Sequence, residues 1–290
     1  MDGLPSSYVP ARIARRRDHT DTLATFWLRP ERRVAFEPGQ YVTLALPGAD
    51  GRLVKRPYSV LSAPHEPELE LFVERVEGGA LTPSLFERTE GDAIGVRGRA
   101  AGVFALDPER AHHAMACTVT GVAPFLSMLR AHVEMADPGG EMGPRFLVLY
   151  GASAPADHGP YRAELAALSR RPDMTAVATV SRPWEASAWD GETGRVEDVL
   201  RKHLDRLGWD PRATAGYGCG NPAMVRNVRG VFRRAGLDDA HVHEEAYFPD
   251  AGEAAPESAP PAAAPPARQG APVRPPGGVV LRSVPRPPDA

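Results

Sequence analysis

Arg56-Pro57-Tyr58-Ser59 sets a cation, an aromatic face and a hydroxyl side by side in one extended segment. Those are the groups a flavin dinucleotide asks for: a cation for its pyrophosphate, a flat face for its ring, a hydroxyl for the ring edge. Alternation along a strand puts Arg56 and Tyr58 on one side and Ser59 on the other. Read alone, the same residues also describe a surface arginine beside a structural tyrosine.

Further stretches have the makings of anion or ring sites. Gly78-Gly79-Ala80-Leu81-Thr82-Pro83 places adjacent glycines ahead of a helix start, so that backbone amides around Gly79, Leu81 and Thr82 face an anion. Thr82 either caps that helix or donates to a phosphate, and a plain capped helix fits the pattern equally. Thr118-Val119-Thr120-Gly121-Val122-Ala123-Pro124 ends a strand and opens a helix. There Thr120, Gly121 and Pro124 let the backbone approach a pyrophosphate at the strand's carboxyl end. The GxGxxG fingerprint is absent. Gly218-Cys219-Gly220-Asn221-Pro222-Ala223-Met224 repeats the strand-to-helix passage, with Cys219 either walling a nicotinamide ring or filling a core. Ser181-Arg182 and Gly194-Arg195 bring two cations to strand ends, either for the 2′-phosphate that distinguishes NADP from NAD or by chance.

Positioning these groups takes two kinds of architecture. Strands at 42–46, 69–74 and 93–96, separated by Pro-Gly and Gly-Asp turns, predict an antiparallel barrel or sandwich. After residue 112 the rhythm changes. Strands at 115–120, 146–150, 176–180, 213–217 and around Val242 alternate with helices at 123–135, 161–170, 196–207 and 223–235. That is the pattern of βαβ units on a parallel sheet. The last 42 residues hold 12 of the 31 prolines, and their only apolar cluster is Val279-Val280-Leu281. Too little surface can be buried there to offset ordering entropy, so a disordered tail is expected. The reading is a β plus α/β protein: domains at 1–110 and 111–248, then the tail at 249–290.

Composition narrows the function. With 42% hydrophobic and 24% charged residues the 290-residue chain is an ordinary globular protein with room for two domains. A net charge of -3 gives no electrostatic case for nucleic acid or a membrane surface. No apolar run approaches the roughly 18 residues of a membrane span. The N-terminus lacks the zones of a secretory signal, so the cytoplasm is expected. Two cysteines, Cys117 and Cys219, are too few for an iron–sulfur cluster. No metal site is expected, and redox chemistry must ride on an organic cofactor or a partner's metal.

Taken in order, these segments resemble the ferredoxin–NADP+ reductase family, in particular its bacterial branch, from about Tyr8 to Phe248. Arg56 to Ser59 is similar to the family's Arg-x-Tyr-Ser flavin signature, and Thr82 falls in its second flavin-phosphate turn. Thr118 to Pro124 is similar to its pyrophosphate loop, and Cys219 to Met224 to its nicotinamide motif. Glu245-Ala246-Tyr247-Phe248 is similar to the bacterial ending, an acidic residue followed by aromatics that cover the flavin. The resemblance implies an antiparallel flavin-binding β-barrel followed by a parallel-sheet α/β domain. FAD and NADP(H) are the implied cofactors, and ferredoxin or flavodoxin the partner of a monomer. Ser59, Cys219 and Glu245 are the implied catalytic residues, with Phe248, or else Tyr247, stacked on the ring opposite Tyr58. Gly220, Asn221 and Met224 join the nucleotide contacts, and the arginine run Arg12, Arg15, Arg16, Arg17 either steers an acidic carrier or is a solvated strand end. The sequence departs from the family where Val119 replaces a glycine and Ser153 an arginine, and in the length of chain after Phe248. Two other readings remain: an NADH-dependent reductase component serving an oxygenase, and a flavin-binding interaction protein with little turnover.

Overall fold

The structure, a computed structural model, describes residues 4–48, 51–135, 143–185 and 188–247; Phe248 and the proline-rich segment lie outside them. Its first half is a sheet of β1 (Tyr8–Asp18), β2 (Leu23–Pro30), β3 (Tyr41–Pro47), β4 (Leu53–Ser59), β5 (Leu69–Glu74) and β6 (Ala93–Arg97). The strands lie in the order β4-β3-β6-β1-β2-β5, every pair antiparallel. Period-two alternation buries Val9, Ala11 and Ile13 of β1, and Ala11 and Ile13 pack with Phe26, Leu44, Leu71 and Val96. The short helix α1 (Thr82–Phe86) closes this core with Leu85, and Leu81 just ahead of it is buried too.

The second half is a wholly parallel sheet of β7 (His112–Thr118), β8 (Arg145–Ala152), β9 (Met174–Val180), β10 (Glu192–Thr193), β11 (Thr214–Gly220) and β12 (Val242–Ala246). Their order is β10-β9-β8-β7-β11-β12. On one face Met115 and Cys117 meet α2 (Ala123–Met135) and α3 (Tyr161–Leu168). On the other face Ala114 and Ala116 meet α4 (Val196–Leu207) and α5 (Pro222–Arg234). Cover on both faces explains why these strands read as unbroken apolar runs rather than alternating ones. The first of them stops at Thr118, short of the expected 120, because Val119 takes φ +46° and breaks the extended backbone.

The two halves share a core. Leu23, Leu61, Phe72 and Phe104 of the first half pack in one cluster with Phe125, Leu129 and Tyr161 of the second. Beside this cluster Arg130 of α2, with a side chain 19% exposed, meets Glu70 at 2.6 Å, Glu164 at 2.7 Å and Glu66 at 3.3 Å. Burial works against its charge, but Glu164 and Glu70 override that and hold the guanidinium protonated. Tyr161 donates to the buried Glu70 at 2.9 Å, and its hydroxyl also meets Thr25 at 2.8 Å. The connecting segment is pinned where the Asp107 amide donates to the Tyr217 hydroxyl at 2.9 Å and its carboxylate pairs with His241 at 2.6 Å. His113, 3.0 Å from the same hydroxyl, is held neutral by burial, its pKa pushed down to about 4.

Candidate active site

Antiparallel pairing with β3, Val42 against Tyr58 and Leu44 against Arg56, fixes the register of β4. Arg56 and Tyr58 are half-buried on one side of the strand, while Pro57 is exposed and Ser59 is buried. Ser59 owes its burial to the parallel sheet. β12 runs beside β11 with Glu245 level with Cys219, and the Tyr247 amide continues the ladder onto Gly220 O at 2.9 Å.

The side chains from these strands form one directed chain of donors. The Cys219 thiol donates to the Tyr247 hydroxyl at 3.4 Å, and Tyr247 donates to Ser59 Oγ at 2.9 Å. Ser59 in turn donates to Glu245 Oε1 at 2.8 Å. Burial raises the Glu245 carboxyl above the ordinary carboxylate range, with the Ser59 bond only partly opposing it. Burial likewise pushes the Cys219 thiol and the Tyr247 phenol well up, so both keep their protons. Burial therefore favours the neutral form of the carboxyl, the thiol and the phenol alike.

Facing it, the ends of β7 and β11 interlock. A Cβ on Gly121 would fall 2.4 Å from Cys219 O, and one on Gly220 would fall 2.6 Å from Thr118 Oγ1. Thr118 Oγ1 accepts the Asn221 amide at 3.2 Å, tying the two loops together. Asn221 spends its own side chain capping α5, accepting from the Ala223 and Met224 amides at 2.9 and 3.2 Å. Thr120 is half-buried in the single 3-10 turn that leads into Pro124 and α2. Val119 alone among the described non-glycine residues has positive φ, at the place where a glycine was expected. Its side chain packs against the shared core.

The glycine turn ahead of α1 differs from expectation. Thr82 does not cap the helix: the residue at the cap is Leu81, with no side-chain bond. Instead Thr82 Oγ1 donates to Val76 O at 3.2 Å and accepts the Val76 amide at 2.9 Å, bracing the turn that carries Gly79. Leu81 is core, so it has only backbone to offer a ligand. The arginine run is also partly committed. Arg16 donates to Phe86 O at 2.7 Å and Arg88 O at 2.6 Å, and Arg15 pairs with Glu68 at 3.4 Å.

At the far end of the parallel sheet the backbone gathers the second pair of arginines. Ser181 N donates to Ala152 O at 3.1 Å, Arg182 N to Ser153 O at 2.8 Å, and Gly194 N to Val180 O at 2.9 Å. Arg182 thus sits at the carboxyl end of β9 and Arg195 at the exposed start of α4. Arg182 also pairs with Glu185 at 2.9 Å. Phe248 is outside the described residues. Sequence reasoning missed Thr118 as the link between loops and gave Tyr247 second place as an aromatic cover. The Thr-x-Thr spacing and the Glu-x-Tyr pattern were the available signals.

The donor set fits a flavin dinucleotide: a guanidinium and an aromatic ring on one side of β4 and a hydroxyl–carboxyl pair at its end. Residues 17–104 match the family of oxidoreductase FAD-binding domains, and residues 115–230 the oxidoreductase NAD-binding domains. The chain is 37% identical over 219 residues to ferredoxin–NADP reductase B of Sorangium cellulosum, covering 73% of this chain and 85% of that one. It is 28% identical over 246 residues to the reductase component of phenol 2-monooxygenase from a Pseudomonas species, covering 83% of this chain and 66% of that longer one. Its fold is similar to a ferredoxin NADP+ reductase from Neisseria gonorrhoeae solved with bound FAD and NADP. The TM-score is 0.71 at 24% identity, over 84% of this chain and 100% of that one. Among the described residues no helix is long and apolar enough to cross a membrane, and no cluster of His, Cys, Asp and Glu is set to hold a metal ion.

Proposed function

Because the chain belongs to the ferredoxin–NADP reductase family, we propose that it passes electrons between NADP(H) and a one-electron carrier such as ferredoxin or flavodoxin, in the cytoplasm. Bound FAD supplies the hydride exchange and the passage from two-electron to one-electron steps. Arg56 binds its pyrophosphate, helped by the amides of the turn that Thr82 braces, and Tyr58 lies against its ring. Tyr247, its amide pinned to Gly220 and its hydroxyl to Ser59, is the described member of the aromatic pair expected to cover the ring. The interlocked loops at Thr118–Gly121 and Cys219–Asn221, packed backbone to backbone at Gly121 and Gly220, receive the nucleotide.

The observation that carries this reading is the bond from Ser59 to Glu245, with Tyr247 on the same hydroxyl. It sets a carboxyl whose pKa is raised by burial at the end of β4. Ser59 Oγ orients whatever lies beside it and steadies the Glu245 carboxyl by donating to its Oε1, and that carboxyl is the group able to take up or release a proton. Cys219, kept as a thiol, closes the wall beneath Tyr247.

The test is an absorbance spectrum of the purified protein before and after anaerobic addition of NADPH, with NADH in parallel. A flavin spectrum that NADPH bleaches is expected. Flavin that neither nucleotide bleaches overturns the enzyme reading. Bleaching by NADH alone favours a second reading, a reductase component serving an oxygenase. Support for that one comes from Ser153, which brings no charge to the nucleotide loop, and from the engagement of Arg182 by Glu185.

A further inference from the structure

We propose that Glu185 is a built-in competitor for the 2′-phosphate at Arg182, and that it sets the choice between NADPH and NADH at this site. The proposal rests on reading the ends of β9 and β10 as the adenosine end of the nucleotide site.

The geometry begins in the backbone. Arg182 is anchored by its amide to Ser153 O at 2.8 Å. A 3-10 turn, Pro183–Glu185, follows at once, and the Glu185 amide returns to Arg182 O at 3.3 Å. Pro183 fixes its own φ near the value this turn needs. The tight turn brings side chains three residues apart together, and Arg182 Nη1 lies 2.9 Å from Glu185 Oε1. The two side chains are 48% and 37% exposed. An ion pair this open contributes about 0–1 kcal/mol to folding. Stability does not explain it.

Its effect on a ligand is selective. A phosphate monoester carries roughly −1.5 to −2 charges at neutral pH. To reach Arg182 it must displace the Glu185 carboxylate or sit beside it. The other acids on the neighbouring loop are already engaged: Asp190 by Arg162, and Glu192 by Lys202 at 2.6 Å and His203 at 3.3 Å. Glu185 is the one paired with Arg182. Ser153 adds no compensating charge, and Arg195 at the N-cap of α4 is the second cation of the pair. The 2′-hydroxyl of NAD is neutral and meets no such competition.

The experiment is calorimetric titration of the FAD-loaded, oxidised protein and of Glu185→Gln and Arg182→Gln with NADP+, NAD+, 2′-AMP and 5′-AMP, at low and high salt. Glu185→Gln is expected to tighten NADP+ and 2′-AMP by about fivefold at low salt. NAD+ and 5′-AMP change less than twofold, and the gain shrinks as salt screens the charges. Arg182→Gln weakens the 2′-phosphorylated ligands selectively. If Arg182→Gln does so while Glu185→Gln leaves the NADP+ to NAD+ ratio unchanged, the competitor role is overturned and the nucleotide reading stands. If neither variant moves the ratio, the adenosine end is elsewhere and the reading of this loop falls with the proposal.

Discussion

Arg130 and Tyr247 both reach from the parallel half of the molecule to the antiparallel half, by opposite chemistry. Around Arg130 the contact is ionic and saturated: one guanidinium, the carboxylates of Glu66, Glu70 and Glu164, and the Tyr161 hydroxyl. Around Tyr247 no full charge is required. A thiol, a phenol, a hydroxyl and a carboxyl with raised pKa share protons along one line. Backbone strain follows the same division, since Val119 with its φ of +46° stands at the Tyr247 end. One seam joins the halves through full charges, the other through groups whose neutral forms burial favours.

Breaking the ionic seam should have the largest effect. Arg130→Met leaves Glu70, 4% exposed, facing two further carboxylates, and should cost about 3–5 kcal/mol in denaturant unfolding. Adding Glu70→Gln should recover part of that loss, because the buried charge is then removed. A single variant within about 1 kcal/mol of the parent would erase the contrast between the seams.

The proton-sharing seam should respond in rate before stability. Ser59→Ala and Glu245→Gln should slow flavin reduction by about a hundredfold in stopped-flow measurements, while unfolding free energy changes by only about 1 kcal/mol. Equal losses in both quantities would make this seam a structural one.

Smaller again is the expected pH dependence. The folded protein keeps the Glu245 proton after the unfolded chain has released its own, so this group's stability is fully present below the ordinary carboxylate pKa. It is lost as pH rises from there through the raised folded value. His113 has the opposite sign: its contribution is full above the ordinary value of 6.5 and is lost as pH falls towards about 4. Thermal melts of the parent minus those of Glu245→Gln isolate the first slope, and a flat difference would contradict the raised carboxyl. Least of all is the strain at residue 119. Glycine there should be more stable than alanine by about 1 kcal/mol, reversing the usual order, because a Cβ is disfavoured at positive φ.

Much of this was legible in the sequence because it is local. Turn residues between short alternating runs gave the antiparallel sheet, and the 3.6-residue period between apolar runs gave the βαβ units, with Arg56, Tyr58 and Ser59 in view by residue type and Glu245 through the family resemblance. Long-range groups were not. Arg130 sits mid-helix with nothing nearby in sequence to say that it is buried against Glu70, which is 60 residues away. β10 spans only two residues, too short for a period to register. Thr82 has the residue type of a cap but is drawn off by Val76, and no local rule weighs the two uses. The turn that folds Glu185 onto Arg182 lies in Pro-Trp-Glu, where the proline is the only local turn signal.

The bond between Ser59 and Tyr247 joins residues 188 apart in sequence. On a ribosome adding roughly 5–20 residues per second, the strand with Arg56 and Tyr58 is made about 10–40 s before its cover. For that interval the newborn chain offers β4 with nothing over it. Cofactor capture can precede completion of the parallel sheet, and β12, the last strand made, adds its bonds to Ser59 only afterwards.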